Sequence, residues 1–265
     1  MDRVIVDQSS WGQLRVTGAD RTRFLQGMLT NDVGQLGPDA WLRAAMLNVK
    51  GRVLALVDVV AEEDGYVVLT EPATAAAVRA LLDRYAIADD VTFSPETRPV
   101  HRVWDGPGDV WTAPPAFATA AAVGDPEVRR IEAGLPRYGV DVSEENFPFE
   151  ANLDSAISYT KGCYIGQEVV ARAHARGHAN KRLVGLRLDG EGPVERGAPV
   201  VAAARPDAGT VTSSVVSPAF GPIALAYVHK SAWEPGTALT VAGRSAVVSA
   251  LPFTNSPSTQ GTGVL

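Results

Sequence analysis

Hydrophobic and polar positions follow two rhythms along this chain. In the first half, short β-like runs alternate with segments of helical period. Leu14-Arg15-Val16 alternates as a strand and stops at Gly18. Asp20 then stands where an N-cap belongs, ahead of the i, i+1, i+4, i+5 stripe Phe24, Leu25, Met28 and Leu29. Runs at 41–49 and 53–60 are joined by Asn48-Val49-Lys50-Gly51, a hairpin-type connection. A second turn, Glu62-Glu63-Asp64-Gly65, leads into Tyr66-Val67-Val68-Leu69. Pro72 suits a first helical position, and 76–85 puts Val78, Leu81, Leu82 and Tyr85 on one helix face. Val91 to Phe93 and Val100 to Trp104 read as further strands. Strands mixed with helices over short turns favour an α+β architecture over a doubly wound sheet. From Leu183 the rhythm changes: Leu183–Leu186, Thr210–Thr212, Ile223–Val228 and Ala246–Val248 alternate with Gly and Pro turns, the pattern of a small β-barrel. Ala113 to Ala122 reads as a linker or as an Ala-rich helix, and Thr254 to Leu265 as a mobile tail.

Composition narrows the function classes. The 265 residues are 46% hydrophobic and 20% charged, which excludes a disordered, collagen-like or coiled-coil chain. A net charge of -6 gives no general attraction to nucleic acid. Cys163 stands alone, so neither an intramolecular disulfide nor a site needing two thiolates can form within the chain, which suits a reducing cytosol. The first residues, MDRVIVDQSSW, lack a signal-peptide core, and the apolar run from Val53 to Ala61 is interrupted by Asp58 and too short to span a bilayer. The expectation is a soluble, cytoplasmic protein with no membrane or nucleic-acid partner.

The segment richest in chemistry is Lys161-Gly162-Cys163-Tyr164-Ile165-Gly166-Gln167-Glu168, continuing to Arg172. Gly162 permits a tight, positive-φ backbone and Gly166 a close approach before a helix. Residues 167–176 are good helix formers, with Glu168 four positions before Arg172. Cys163 therefore sits near a helix N-terminus and beside Lys161, and both features favour a thiolate. The alternative is a small buried thiol packed behind the helix.

KGCYIGQEVVAR resembles the diagnostic segment of the YgfZ-type folate-binding proteins, relatives of the glycine-cleavage aminomethyltransferase (GcvT). Further blocks carry the resemblance in order over about residues 11–176. They are Val16–Asp20 with Phe24–Gly27 and Thr30–Val33, then Lys50-Gly51-Arg52, Arg130–Gly139 and Pro148-Phe149-Glu150. The resemblance implies a GcvT-like α+β fold: two α+β (ferredoxin-like) parts around a central folate cavity, plus a C-terminal small β-barrel. The expected boundaries are 1–48 with 130–181 as a discontinuous first part, 49–128 as the second, 182–253 as the barrel and 254–265 as a tail.

The resemblance also implies site residues. Tetrahydrofolate or a derivative would be the cofactor, with Glu132 reaching the pterin through two N–H bonds and Trp11 stacking on a flat heterocycle. Asn31 and Tyr138 are further candidates of the same kind. Ordinary roles stand beside these: a helix-surface Glu132 paired with Arg129 or Arg130, and a core Trp11. Cys163 would be the functional thiol and Lys161 its activator, framed by Gly162, Tyr164, Gly166, Gln167 and Glu168. The aminomethyltransferase carries an aspartate pair where this chain has Ala55-Leu56. Asp58, two residues on, reads as an exposed or edge-strand charge, or as a carboxylate on the Leu56 face. Arg172, His174, Arg176, His178, Lys181 and Arg182 form a basic run, read as a solvated helix face or a receiver of an acidic group. His174 and His178 have helical i, i+4 ligand spacing, but Gly177 weakens the helix and no third ligand is evident, so no metal is expected. The implied function is a tetrahydrofolate-binding accessory protein in iron–sulphur cluster assembly or repair, without aminomethyltransferase activity and partnered by folate and iron–sulphur enzymes or assembly proteins. Its rivals are a folate-dependent one-carbon transferase and a folate-binding scaffold with a structural cysteine.

Overall fold

The structure, a computed structural model, describes residues 4–38, 40–104, 109–112, 125–176 and 179–254. The segment read as a linker (113–122) and the tail from 255 lie outside them. The chain forms two compact units.

The first unit is Met1–Val123, Arg137–Phe149 and Leu153–His178. Its centre is an antiparallel five-stranded sheet in the order β3-β4-β5-β2-β6. The strands are β2 (Gly12–Thr17), β3 (Trp41–Leu47), β4 (Val53–Glu62), β5 (Gly65–Thr70) and β6 (Thr92–Glu96). Strand parity divides β4. Ala55, Val57, Val59 and Ala61 enter one core with Phe24, Leu25 and Met28 of α1 (Arg21–Met28) and Val78 and Leu82 of α2 (Ala75–Tyr85). Val60 joins a smaller cluster on the opposite face with Val67, Leu69, Val100, Trp11 and Trp41. A three-stranded sheet, β1 (Val4–Asp7), β7 (His101–Trp104) and β8 (Asp109–Thr112), completes the strands of this unit.

Three local expectations change. Asp20 is the N-cap residue of α1, but its carboxylate accepts from the Asp90 amide at 2.9 Å and from the Arg23 side chain rather than from a helix amide. Pro72 opens a 3₁₀ turn, Pro72–Thr74, that feeds α2. The boundary expected at 48/49 falls inside the β3–β4 hairpin, where Ala44 pairs with Val57 and Trp41 with Val60. A continuous hydrogen-bonded sheet therefore takes strands from both segments that the boundary would separate.

The second unit is Gly124–Pro136, Glu150–Asn152 and Ala179–Leu265. Its six strands close into a barrel in the order β10-β11-β12-β9-β14-β13. They are β9 (Lys181–Leu188), β10 (Pro199–Ala202), β11 (Arg205–Ser217), β12 (Gly221–His229), β13 (Ala238–Val241) and β14 (Arg244–Ser249). Small and branched residues such as Val200, Val211, Ala224, Ala226 and Leu186 fill it. The helix α3 (Pro126–Glu132) belongs to this unit, and with it residues 130–136, expected in the first part. Arg130 Nη2 donates to Ser213 Oγ at 2.8 Å, and Glu132 is bound to the barrel through both its side chain and its backbone. At Gly134 (φ +70) an added Cβ would stand 2.8 Å from Leu251 Cβ, so only glycine allows this approach.

Candidate functional site

The motif loop is built on the end of α1. An α-helix ends with carbonyls that have no intrahelical donor and carry partial negative charge. Lys161 supplies the missing donors: its Nζ donates to the carbonyls of Gln26 (2.8 Å), Leu29 (2.7 Å) and Asn31 (2.8 Å). The ammonium lies 5.3 Å from the centre of the Tyr164 ring, and Lys161 is only 8% exposed. Burial pushes its pKa down to about 8, against the upward pull of Asp32. An ammonium has three N–H donors, and all three are used here. Its hydrogen bonds thus tie Lys161 to the backbone at and just past the end of α1.

Cys163 is exposed, which excludes the packed-thiol alternative. It precedes α4 (Gln167–Arg176), whose start matches the sequence expectation. Gly166 has φ +83, and a Cβ there would stand 2.6 Å from the Asn48 carbonyl oxygen. Gly51 (φ +74) meets Val169 in the same way, at 3.0 Å, so two glycines interlock the 48–51 turn with the start of α4. Gly162 has no positive φ and open space around its α-carbon, contrary to expectation. Gln167 Oε1 accepts from the Tyr164 amide at 3.3 Å. Tyr164 is buried, which pushes its phenol up to about 12, with Tyr159 adding to the rise. Glu168 is exposed.

Other candidates are placed as follows. Asn31 donates to the carbonyls of Arg43 (2.8 Å) and Ser155 (3.1 Å) and accepts from Asp32 N (3.0 Å), so its amide hydrogens already have backbone partners. Trp11 is half-buried, with the Arg102 guanidinium 5.7 Å from its ring centre. Tyr138 is half-buried, and burial followed by the Glu144 charge raises its pKa. The basic run does not form one helical face: Lys181 and Arg182 open β9, while His174 on α4 stacks on Tyr159 at 4.0 Å. The pair with His178 lies outside the described residues, and among those described no group of three His, Cys, Asp or Glu is placed to hold a metal.

Asp58 is not an exposed or edge charge. It lies in β4, between β3 and β5, and is 1% exposed. Arg43 Nε donates to Oδ1 at 2.9 Å, and Arg102 Nη2 to Oδ2 at 2.7 Å. Ala55 and Leu56, where the resemblance puts the transferase aspartates, are buried in the same strand.

In the second unit Glu132, 4% exposed, ends α3. Ser217 Oγ donates to its Oε1 at 2.5 Å and Arg129 Nη1 to its Oε2 at 3.0 Å. A carboxylate has about four acceptor positions, so roughly one per oxygen is left for a ligand's two-donor edge. That count fits an aminopyrimidine ring; Asn31, by contrast, has no amide hydrogen left for it. Sequence reasoning missed Ser217, Arg43 and Arg102. Only Arg129 was in reach of it, as the i−3 neighbour of Glu132.

Comparison with known proteins agrees with this architecture. Residues 181–255 match the glycine cleavage T-protein C-terminal barrel domain. Over 130 residues the chain is 42% identical to an aminomethyltransferase of Saccharopolyspora erythraea, covering 47% of this chain and 35% of that protein. The match thus spans about a third of the relative's length. A crystal structure of the glycine cleavage system aminomethyltransferase T from Bartonella henselae superposes with a TM-score of 0.81 at 19% identity, over 95% of this chain and 86% of that one. No helix among the described residues is long and apolar enough to cross a membrane. The chain has the GcvT-like fold, and its six-stranded barrel matches the glycine cleavage T-protein C-terminal barrel domain.

Proposed function

We propose that this chain binds tetrahydrofolate or a derivative and serves as a YgfZ-type accessory protein in iron–sulphur cluster assembly or repair, in the cytoplasm and without aminomethyl transfer. The carrying observation is in β4. Ala55 and Leu56 stand where the resemblance puts the transferase aspartates, and Asp58, two residues on, is buried between two guanidinium groups. A positioned acid or base contributes about 10²–10⁴-fold to a reaction, and nothing at 55 or 56 can supply it. Tetrahydrofolate, when bound, supplies the ring nitrogens that carry one-carbon units. This chain's part is to orient the ring, with Glu132 accepting from the pterin edge. Cys163, exposed ahead of α4, is the chemical handle for cluster work. Clusters normally take four protein ligands, so one thiol acts as a transient ligand, a redox group or a bridge to a partner.

The similarity to the Saccharopolyspora erythraea protein favours a second reading, a folate-dependent one-carbon transferase. Titration with 5-formyltetrahydrofolate, read by tryptophan fluorescence, together with an aminomethyl-transfer assay, separates the two. Binding without turnover is the expected result. Turnover that disappears in Asp58→Asn would establish the transferase and overturn the accessory role.

A further inference from the structure

The barrel side of Glu132 carries an inference about how that carboxylate is aimed. Ser217 ends β11 and is 2% exposed. Its Oγ accepts from the amides of Ala219 and Phe220, each at 3.0 Å. A hydroxyl has two lone pairs and one hydrogen. With both lone pairs engaged, the hydrogen is committed to Glu132 Oε1, 2.5 Å away. Arg129 engages the other oxygen, and the Glu132 carbonyl accepts from Phe253 N at 2.8 Å. The residue is therefore anchored at its backbone and at both carboxylate oxygens.

We infer that Ser217 and Arg129 are positioning residues that preset the Glu132 carboxylate as a double acceptor for a cyclic amidine edge, an amino group beside a ring N–H. This selects a 2-amino ring over its 2-oxo counterpart. The inference rests on the folate reading. Presetting removes the loss of torsional freedom that binding would otherwise require. A 2-oxo ring turns an oxygen toward the carboxylate in place of a donor, so discrimination between the two rings reports the aim of the carboxylate.

The experiment measures affinity for 5-formyltetrahydrofolate and for the same ligand with 2-oxo in place of 2-amino, in the full chain. The wild type should prefer the amino ligand by tenfold or more, and Glu132→Gln should lose that preference, since charge-assisted hydrogen bonds are strong. Ser217→Ala should reduce the preference roughly fivefold to tenfold. A purely structural serine would instead weaken both ligands equally and leave the ratio unchanged, which would overturn the inference. If Ser217→Ala does not fold, Arg129→Met tests the same ratio from the other oxygen. A ratio that survives in the positioning variants but collapses in Glu132→Gln refutes the positioning and leaves the folate reading standing. No preference in the wild type refutes the folate reading itself.

Discussion

A buried cation in the first unit and a buried anion in the second are held in opposite ways. Lys161 is surrounded by backbone: three carbonyls at the end of α1, whose positions follow from where the helix stops. Glu132 is surrounded largely by side chains, one from its own helix and one 85 positions along the chain. A backbone cage accepts any donor of the right reach and charge, so its contents are set by geometry. A side-chain cage depends on which residues the fold brings together. The first is therefore built to hold structure, and the second can be tuned toward a ligand. The glutamate also keeps acceptor capacity after its protein bonds are counted, whereas the lysine has no donor left.

Removing each charge is the most direct way to break this comparison. Lys161→Met should destabilise the protein by about 3 kcal/mol, because buried carbonyls lose charge-assisted donors. Glu132→Gln keeps the shape and an acceptor, and should lower stability by only about 1 kcal/mol. Denaturant unfolding of both variants measures the difference; equal losses would mean that the glutamate cage is as structural as the lysine cage.

The motif glycines sharpen the same contrast. Gly166→Ala combines a positive φ with a close approach to the Asn48 carbonyl, and should reduce stability by about 2 kcal/mol. Gly162→Ala meets open space and should change it by less than about 0.5 kcal/mol. Thermal unfolding of the two variants should separate them clearly, and a large effect at Gly162 would point to a ligand-facing role there.

The smallest effect concerns Tyr164, beneath the lysine. Its phenol ionises at about 12 in the folded chain and near 10 when unfolded. The folded state thus holds more protons between these values, so this group's contribution is complete below pH 10 and is lost as pH rises through 12. Absorbance titration at alkaline pH should show a late tyrosine step that disappears in Tyr164→Phe. A step near 10 would show that the lysine cage is open to water.

Much of the fold was legible because periodicity is local. The β-like run at 53–60, the helix at 167–176 and the change of rhythm at 183 each reflect which side chains must face a core, and β4, α4 and β9 stand there. The extent of the first sheet was not legible. The 48–51 turn reads as a hairpin, which the β3–β4 pairing bears out, while the resemblance puts a domain junction there. The motif gave up its elements but not its contacts: proximity in sequence placed Lys161 beside Cys163, and its four-carbon side chain carries the ammonium to the end of α1.

The sequence by itself determined the class of the elements, the barrel, the absence of carboxylates at 55 and 56 and the single thiol. Only the tertiary structure decided that Asp58 is enclosed by Arg43 and Arg102, that α3 belongs with the barrel, and that Ser217 directs its hydrogen at Glu132. The physical reason is one of range. Secondary structure follows from neighbours a few residues apart, whereas a buried charge must find its partners wherever the fold supplies them.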